Sequence, residues 1–306
     1  SSLGHVYMPF NMVFQGNYSI HGWPFYEDGA RTSRSFSSGC INLETNGSQD
    51  LFGRITLNTP VFVYKDAFVN DAYRYDTEKT FTPKPRVKAS AYLAADLQNG
   101  YVFLENNSTS VLPIASVTKL MTALVASEYN LLTFSDTVRK QIKITDKMTA
   151  PIGELAGLTI GKKFHYFELL YPLLISSSND AAEALAISTG KNKFLRLMSE
   201  RASSLGMKDT RFTDAYGYDA GNISTSEDLF YLARYLNLSR RWLLDISKGK
   251  LYEEFGAISF KNLVNQNIFI DDPDFIGGKV GATPIAKKTG VFLFNLKTET
   301  GEERPI

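Results

Sequence analysis

The side chains best suited to covalent chemistry are Cys40, His5, His21 and His165, together with three serines followed one helical turn later by lysine. These pairs are Ser116–Lys119, Ser188–Lys191 and Ser247–Lys250. A serine hydroxyl attacks an acyl carbon when a nearby base takes its proton and backbone N–H groups face the developing oxyanion. The serine must therefore open a helix, with the lysine on the same face. Only Ser116 does so. Val117, Leu120, Met121, Leu124 and Val125 follow it at the spacing of one apolar helical face. Ser188 ends a helical pattern beside Gly190, a stop signal, and Ser247 sits in a short charged stretch. Taken alone, the triplet at Ser116 reads better as a helix cap with a solvated lysine. Cys40 is the second candidate nucleophile, because His21-Gly22 stands upstream of Ser38-Gly39-Cys40. A reactive thiolate needs such an imidazole and backbone donors. A single cysteine excludes an internal disulfide and a multi-thiolate metal site. The scattered histidines form no zinc motif, so no metal or cofactor is expected.

The elements that would position these groups fall into two regions, as 306 residues predict. With 43% hydrophobic and 21% charged residues the chain is of ordinary globular composition, and a net charge of +1 gives no field for nucleic acid. The strongest apolar run, Phe167 to Ile175, is too short for a membrane helix, so any membrane anchor is expected outside this chain. The start, Ser1-Ser2-Leu3, carries no signal region. The close, Gly301 to Ile306, reads as a turn entering a strand. Both ends are expected to be cuts within domains. Residues 1–66 read as β-structure with long loops, and residues 67–88, broken by Pro83 and Pro85, as a linker. From Ala89 an α+β domain is expected to span 89–306. It begins with a hairpin, 91–96 and 101–104, turned by Asn99-Gly100. Helices are predicted from Ser116, over 166–187 with a kink at Pro172, and over 226–237. Short β-like runs follow Asn262, and the first and last strands are expected to share one sheet.

The segment Leu112-Pro113-Ile114-Ala115-Ser116-Val117-Thr118-Lys119-Leu120-Met121-Thr122 resembles the active-site segment of the serine D-Ala-D-Ala carboxypeptidases, the low-molecular-weight penicillin-binding proteins. The family's second motif, Ser-Gly-Asn, matches Ser177-Ser178-Asn179, followed by Asp180-Ala181-Ala182. Its third, Lys-Thr-Gly, has two candidates. Lys288-Thr289-Gly290 matches letter for letter, whereas Lys279-Val280-Gly281 departs at valine. The second is preferred because Gly277 to Thr283 resembles the family's motif strand and the run Val291 to Phe294 then begins the next one. Lys288 is expected in the connecting turn, solvated. Phe212 to Gly217 and Asn222 to Thr225 also fit.

The resemblance implies an antiparallel sheet flanked by helices plus a helical subdomain. It implies that Ser116 attacks the carbonyl between two D-alanines, with Lys119 as base. Ser177 would relay a proton to the leaving amine, and Asn179 would bind substrate and hold Lys119. Lys279, Gly281, Ala282 and Thr283 would bind substrate: the first attracts its terminal carboxylate, the N–H groups of Ser116 and Ala282 form the oxyanion hole, and Thr283 shares the carboxylate. Peptidoglycan stem peptides would be the substrates, β-lactams the inhibitors, and the cell envelope, outside the cytoplasm, the location.

The earlier region is similar to the L,D-transpeptidase signature of a His-Gly, a spacer and Ser-His-Gly-Cys with an apolar residue. The matching pieces are Ile20-His21-Gly22, Phe36 to Leu43, Met8 to Met12 and Thr59-Pro60-Val61. Ser38 stands where most members carry His. This resemblance implies that His21 activates Cys40, with N–H donors near Gly39 and Cys40. It covers the last part of that domain, whose opening strands would precede residue 1. His5 and His165 gain no role. The whole chain thus reads as a two-headed peptidoglycan enzyme. The alternatives are a non-catalytic wall-binding protein, favoured by Val280, and a β-lactamase-like hydrolase.

Overall fold

The structure, a computed structural model, describes residues 6–15, 18–32, 40–57, 59, 61, 73–75, 85–133, 141–252, 260, 262–298 and 301–306. The chain divides into two compact units, Ser1–Val63 and Tyr64–Ile306. His5, Ser38, Gly39 and most of the expected linker lie outside the described residues.

In the first unit β1 (Val6–Tyr7) pairs with β4 (Phe25–Tyr26), while β2 (Met12–Gln15), β3 (Tyr18–Gly22) and β5 (Ile41–Leu43) form a sheet in that order. β2 and β3 are antiparallel, and β3 and β5 run parallel. Helix α1 (Thr45–Arg54) follows, where loops and strands were expected. Its sequence, with Gly47 and Gly53 and no apolar stripe, carries little helical signal.

The second unit opens on the expected hairpin, β6 (Tyr92–Ala95) and β7 (Val102–Asn106). Its turn uses Gly100 at φ 75°. Then come β8 (Leu112–Pro113), a 3-10 turn Ala115–Val117, α2 (Thr118–Thr133), β9 (Gln141–Lys143) and β10 (Lys163–His165). α3 (Leu170–Leu174), α4 (Asn179–Thr189), α5 (Lys191–Ser204), β11 (Ile223–Ser224), α6 (Ser226–Ser239) and α7 (Arg241–Lys248) follow. The chain closes on an antiparallel sheet of β12 (Phe275–Thr283), β13 (Lys287–Lys297) and β14 (Glu303–Pro305). The hairpin and this sheet are not one continuous ladder. They meet where the Leu97 N–H donates to Pro305 O at 2.8 Å and Arg304 pairs with buried Asp96 at 2.6 Å. The Asp96 carboxylate also accepts the Gln98 and Asn99 N–H groups, which turns the chain away before the ladder extends.

The predicted apolar stripe of α2 is buried, but so is the rest of its first three turns, since every residue from Val117 to Glu128 is inaccessible. α2 is a central helix, and Glu128 on it has partners. Glu128 pairs with Arg201 at 3.0 Å and accepts the Tyr235 hydroxyl at 2.7 Å. The single helix expected over 166–187 is two helices. Pro172 falls inside the short α3, near its start, where a missing N–H leaves no bond unmade. The break comes later, at Ser177, whose φ is 61°. No helix among the described residues is long and apolar enough to cross a membrane.

Candidate active site

Ser116 sits in the 3-10 turn that feeds α2, with Ala115 before it held at φ 47°. An alanine in the left-handed region is strained, and such strain persists only where surroundings fix it. Here they do. The Ile114 N–H donates to Asn222 O at 3.0 Å, and β8 pairs with β11. One turn into the helix, Lys119 is fully buried and its Nζ donates to Ser116 Oγ at 2.7 Å and to Tyr216 O at 2.7 Å. Burial pushes the Lys119 amine well below its usual range and the charge of Lys279 pushes the same way, against Asp214 and Glu154. A neutral amine in contact with a hydroxyl can take its proton.

The carbonyl that holds Lys119 is fixed by a loop that the sequence reading left without a role. The Asp214 carboxylate accepts the N–H groups of Tyr216, Gly217, Tyr218 and Asp219 at 2.5–3.1 Å. Thr122 Oγ1 ties the same loop to α2 through Ala215 O at 2.6 Å. Gly217 has φ 80°, and a Cβ there would stand 1.8 Å from Ala115 O. Only glycine lets this loop lie against the Ser116 turn. The Asp-x-x-Gly spacing is the turn signal that could have found it.

β12 passes along the other side of the turn. A Cβ on Gly281 would meet Ser116 N at 2.6 Å, so strand and serine N–H approach at backbone distance. Ala282, the next N–H along the strand, is paired in register with Lys288. Lys279 is fully buried, its Nζ donating to Val280 O at 2.9 Å. Burial brings its pKa down to about 7, against the charge of Glu154. Lys288 is exposed on the second residue of β13, not in the connecting turn; the turn is shorter because Lys287, at φ 59°, already starts the strand. Thr289 Oγ1, in the literal Lys-Thr-Gly, is used to donate to Ile114 O at 2.8 Å. Thr283 Oγ1 accepts the Ala286 N–H at 3.0 Å, which leaves its proton free to donate.

Ser177 is buried in the break between α3 and α4, and Asn179 begins α4 behind Ser178, whose hydroxyl accepts the Ala181 N–H at 3.0 Å. Asn179 is clamped by residues 152–154. Its Nδ2 donates to Ile152 O at 2.5 Å and its N–H to Glu154 O at 2.7 Å. Ser188 donates within α4 to Leu185 O, and buried Ser247 within α7 to Leu244 O. Neither has the setting of Ser116. Residues 78–295 match the D-alanyl-D-alanine carboxypeptidase family. The chain belongs to that family. A D-alanyl-D-alanine endopeptidase of Pseudomonas aeruginosa is 36% identical over 154 residues, 50% of this chain and 47% of that protein. The chain spans about half the length of the curated relatives it matches. A D-alanyl-D-alanine carboxypeptidase of Mycobacterium tuberculosis superposes with a TM-score of 0.61 at 27% identity, over 73% of this chain and 82% of that one. A cefotaxime-bound penicillin-binding protein of Listeria monocytogenes gives a TM-score of 0.59 at 27% identity, over 73% and 89%.

Outside the carboxypeptidase domain, residues 3–63 match the L,D-transpeptidase catalytic domain. The parallel register sets Ile20 beside Ile41 and His21 beside Asn42, and so Ser19 beside Cys40. The Ser19 hydroxyl donates to Cys40 Sγ at 3.6 Å. His21 is 1% exposed, and its Nδ1 lies 2.8 Å from Gly22 O. The tautomer that donates Nδ1–H there leaves Nε2 as the basic nitrogen. Ser19 went unnoticed in the sequence because the pairing of β3 with β5 is not local. His165 lies half-buried on β10, without a role in either site.

Proposed function

We propose that the second unit is a peptidoglycan D,D-peptidase that cleaves D-Ala-D-Ala ends through an acyl-enzyme on Ser116. The observation that carries this is the 2.7 Å contact between a fully buried Lys119 amine and the Ser116 hydroxyl. Ser116 Oγ attacks the carbonyl carbon between the two D-alanines, and the neutral Lys119 amine takes the hydroxyl proton. The carbonyl oxygen becomes an oxyanion facing the N–H groups of Ser116 and Ala282. Ser177 relays a proton to the leaving amine as the C–N bond breaks, and free D-alanine departs. Asn179 orients the acyl part, and Lys279 draws in the terminal carboxylate beside Gly281 and Thr283. Water then attacks the ester and returns Ser116 to its hydroxyl form. Substrates of this kind place the site on the outer side of the cytoplasmic membrane. β-Lactams would acylate the same serine.

D-Alanine release from a peptide ending in D-Ala-D-Ala tests the reading. Release dependent on the terminal carboxylate is expected. Binding of the peptide without release would make the chain a wall-binding protein instead.

Val280 is the departure with a measurable consequence. Half-buried on β12, it faces Gly290 across the ladder. Threonine there would add one donor to a bound carboxylate, a bond of about 1.5–3 kcal/mol, part of which water recovers. Val280→Thr is therefore expected to raise kcat/KM by about one to two decades on a free-carboxylate peptide, and by less on its amide. Equal gains on both peptides would show that position 280 does not face the carboxylate.

The first unit is proposed to act as a cysteine L,D-transpeptidase site, with His21 as base for Cys40. In the full-length protein, with the rest of that domain present, the thiol is expected to react with iodoacetamide faster than free cysteine at neutral pH, and His21→Ala should slow it severalfold. Equal rates in both proteins would remove His21 from the role.

A further inference from the structure

β12 carries Lys279 and the Ala282 N–H, yet it is an edge strand, covered by β13 on one side only. Along its open edge the backbone groups of alternate residues, Gly278, Val280 and Ala282, face away from β13. At Gly278 both groups are taken by side chains of other elements. Its N–H donates to Ser247 Oγ at 2.9 Å, and its carbonyl accepts Asn267 Nδ2 at 3.2 Å. The same Nδ2 donates to Ser247 O at 3.0 Å, so two carbonyls fix which end of the Asn267 amide is the nitrogen. Asn265 Nδ2 also donates to Ser247 O, at 2.8 Å, and Lys248 Nζ holds Phe275 O at 2.8 Å. Ser247 and Asn267 are fully buried. Gly277, at φ 151°, lets α7 come this close: a Cβ there would stand 2.6 Å from Leu244 O and 2.8 Å from Ser247 Oγ. The serine of the third serine–lysine pair is thus no nucleophile. Its hydroxyl donates to Leu244 O at 2.7 Å while it accepts the Gly278 N–H.

This attachment immediately precedes Lys279. The Ala282 end of the strand has its own anchor, because Gly281 lies against Ser116 N and Thr289 Oγ1 lies within hydrogen-bond distance of both Gly281 O and Ile114 O. Loosening Gly278 therefore disturbs the lysine more than the oxyanion hole. We propose that Ser247 and Asn267 are positioning residues that pin β12 at Gly278 and so aim Lys279 at the terminal carboxylate of the substrate. This rests on the D,D-peptidase reading above. Neither side chain touches the reacting atoms; both act through the backbone of Gly278.

Two peptides separate aim from folding: one ending in D-Ala-D-Ala with a free carboxylate, the other its terminal amide. Release of D-alanine or D-alanine amide by the full chain gives kcat/KM on each, and the ratio of the two does not depend on how much of the chain is folded. Ser247→Ala frees the Gly278 N–H, and Asn267→Ala frees its carbonyl. Each variant is expected to lose about tenfold in kcat/KM on the free-carboxylate peptide, mostly through KM, and less than about threefold on the amide, as a charge displaced by a fraction of an ångström would. Parallel losses on both peptides in both variants, partial or complete, would overturn the proposal, because the two residues would then only hold the fold. So would an unchanged kcat/KM on the free-carboxylate peptide. Release from neither peptide by the wild-type chain would instead overturn the D,D-peptidase reading, and the proposal with it.

Discussion

Ser116→Ala is expected to abolish D-alanine release and penicillin labelling together. The substitution removes the attacking oxygen while leaving the turn intact, since Ala115 carries the strained φ and the Thr289 and Asn222 bonds to Ile114 involve no Ser116 atom. Loss of a nucleophile in a preorganised site costs on the order of 10⁴-fold or more in kcat, because the remaining donors act only on attack by water. The fold should be kept, so peptide binding should persist while turnover and labelling vanish. Release within tenfold of wild type would mean that another nucleophile performs the reaction.

Lys119→Arg should cost nearly as much, for a different reason. Arginine keeps a positive charge and donors for Tyr216 O, but it does not give up its proton in a protein. If Lys119 served only as a charge, the variant would retain much of the activity. If its amine is the base, acylation should fall by about 10²–10⁴-fold. Lys119→Met, close in volume and uncharged, serves as the second variant in case arginine does not fit a fully buried site. The same account fixes a pH profile. Lys119 works neutral, so kcat/KM should rise with pH through its depressed pKa. Lys279 works charged, so kcat/KM should fall as pH rises through about 7. The two amines feel each other's charge, and the limbs of the bell belong to the pair. Lys279→Arg, charged at every pH used, should extend the alkaline limb; a limb that does not move would assign it to another group.

The serine site was read from its resemblance to three ordered family motifs, since the Ser116 triplet taken alone reads as a helix cap. Ser116 and Lys119 share one helical turn, and Ser177 to Asn179 announce themselves before the alanines of α4. The choice of Lys279 over Lys288 came from the resemblance of Gly277 to Thr283 to the family's motif strand, with the run Val291 to Phe294 as the strand after it. Phe212 to Gly217 was recognised as fitting the family, but the action of its groups on Lys119 was not legible. Asp214, the Tyr216 carbonyl and Glu154 reach Lys119 only through tertiary packing, and none belongs to a motif around the serine. The apolar stripe of α2 was read correctly but described half the helix. Its polar side is buried too, because Lys119, Thr122 and Glu128 each find a partner on another element. Periodicity assigns polar residues to solvent and cannot see such partners. In the same way Pro172 pointed to a kink at the wrong residue. The interruption belongs to Ser177, whose positive φ no propensity scale would assign to serine.

Mapping the penicillin adduct by mass spectrometry on the intact chain tests the central claim most directly. A single adduct on Ser116 that persists for many minutes is predicted, as an acyl-enzyme shielded from water would. An adduct on Ser188 or Ser247, none at all, or one that turns over within seconds as in a β-lactamase would contradict it.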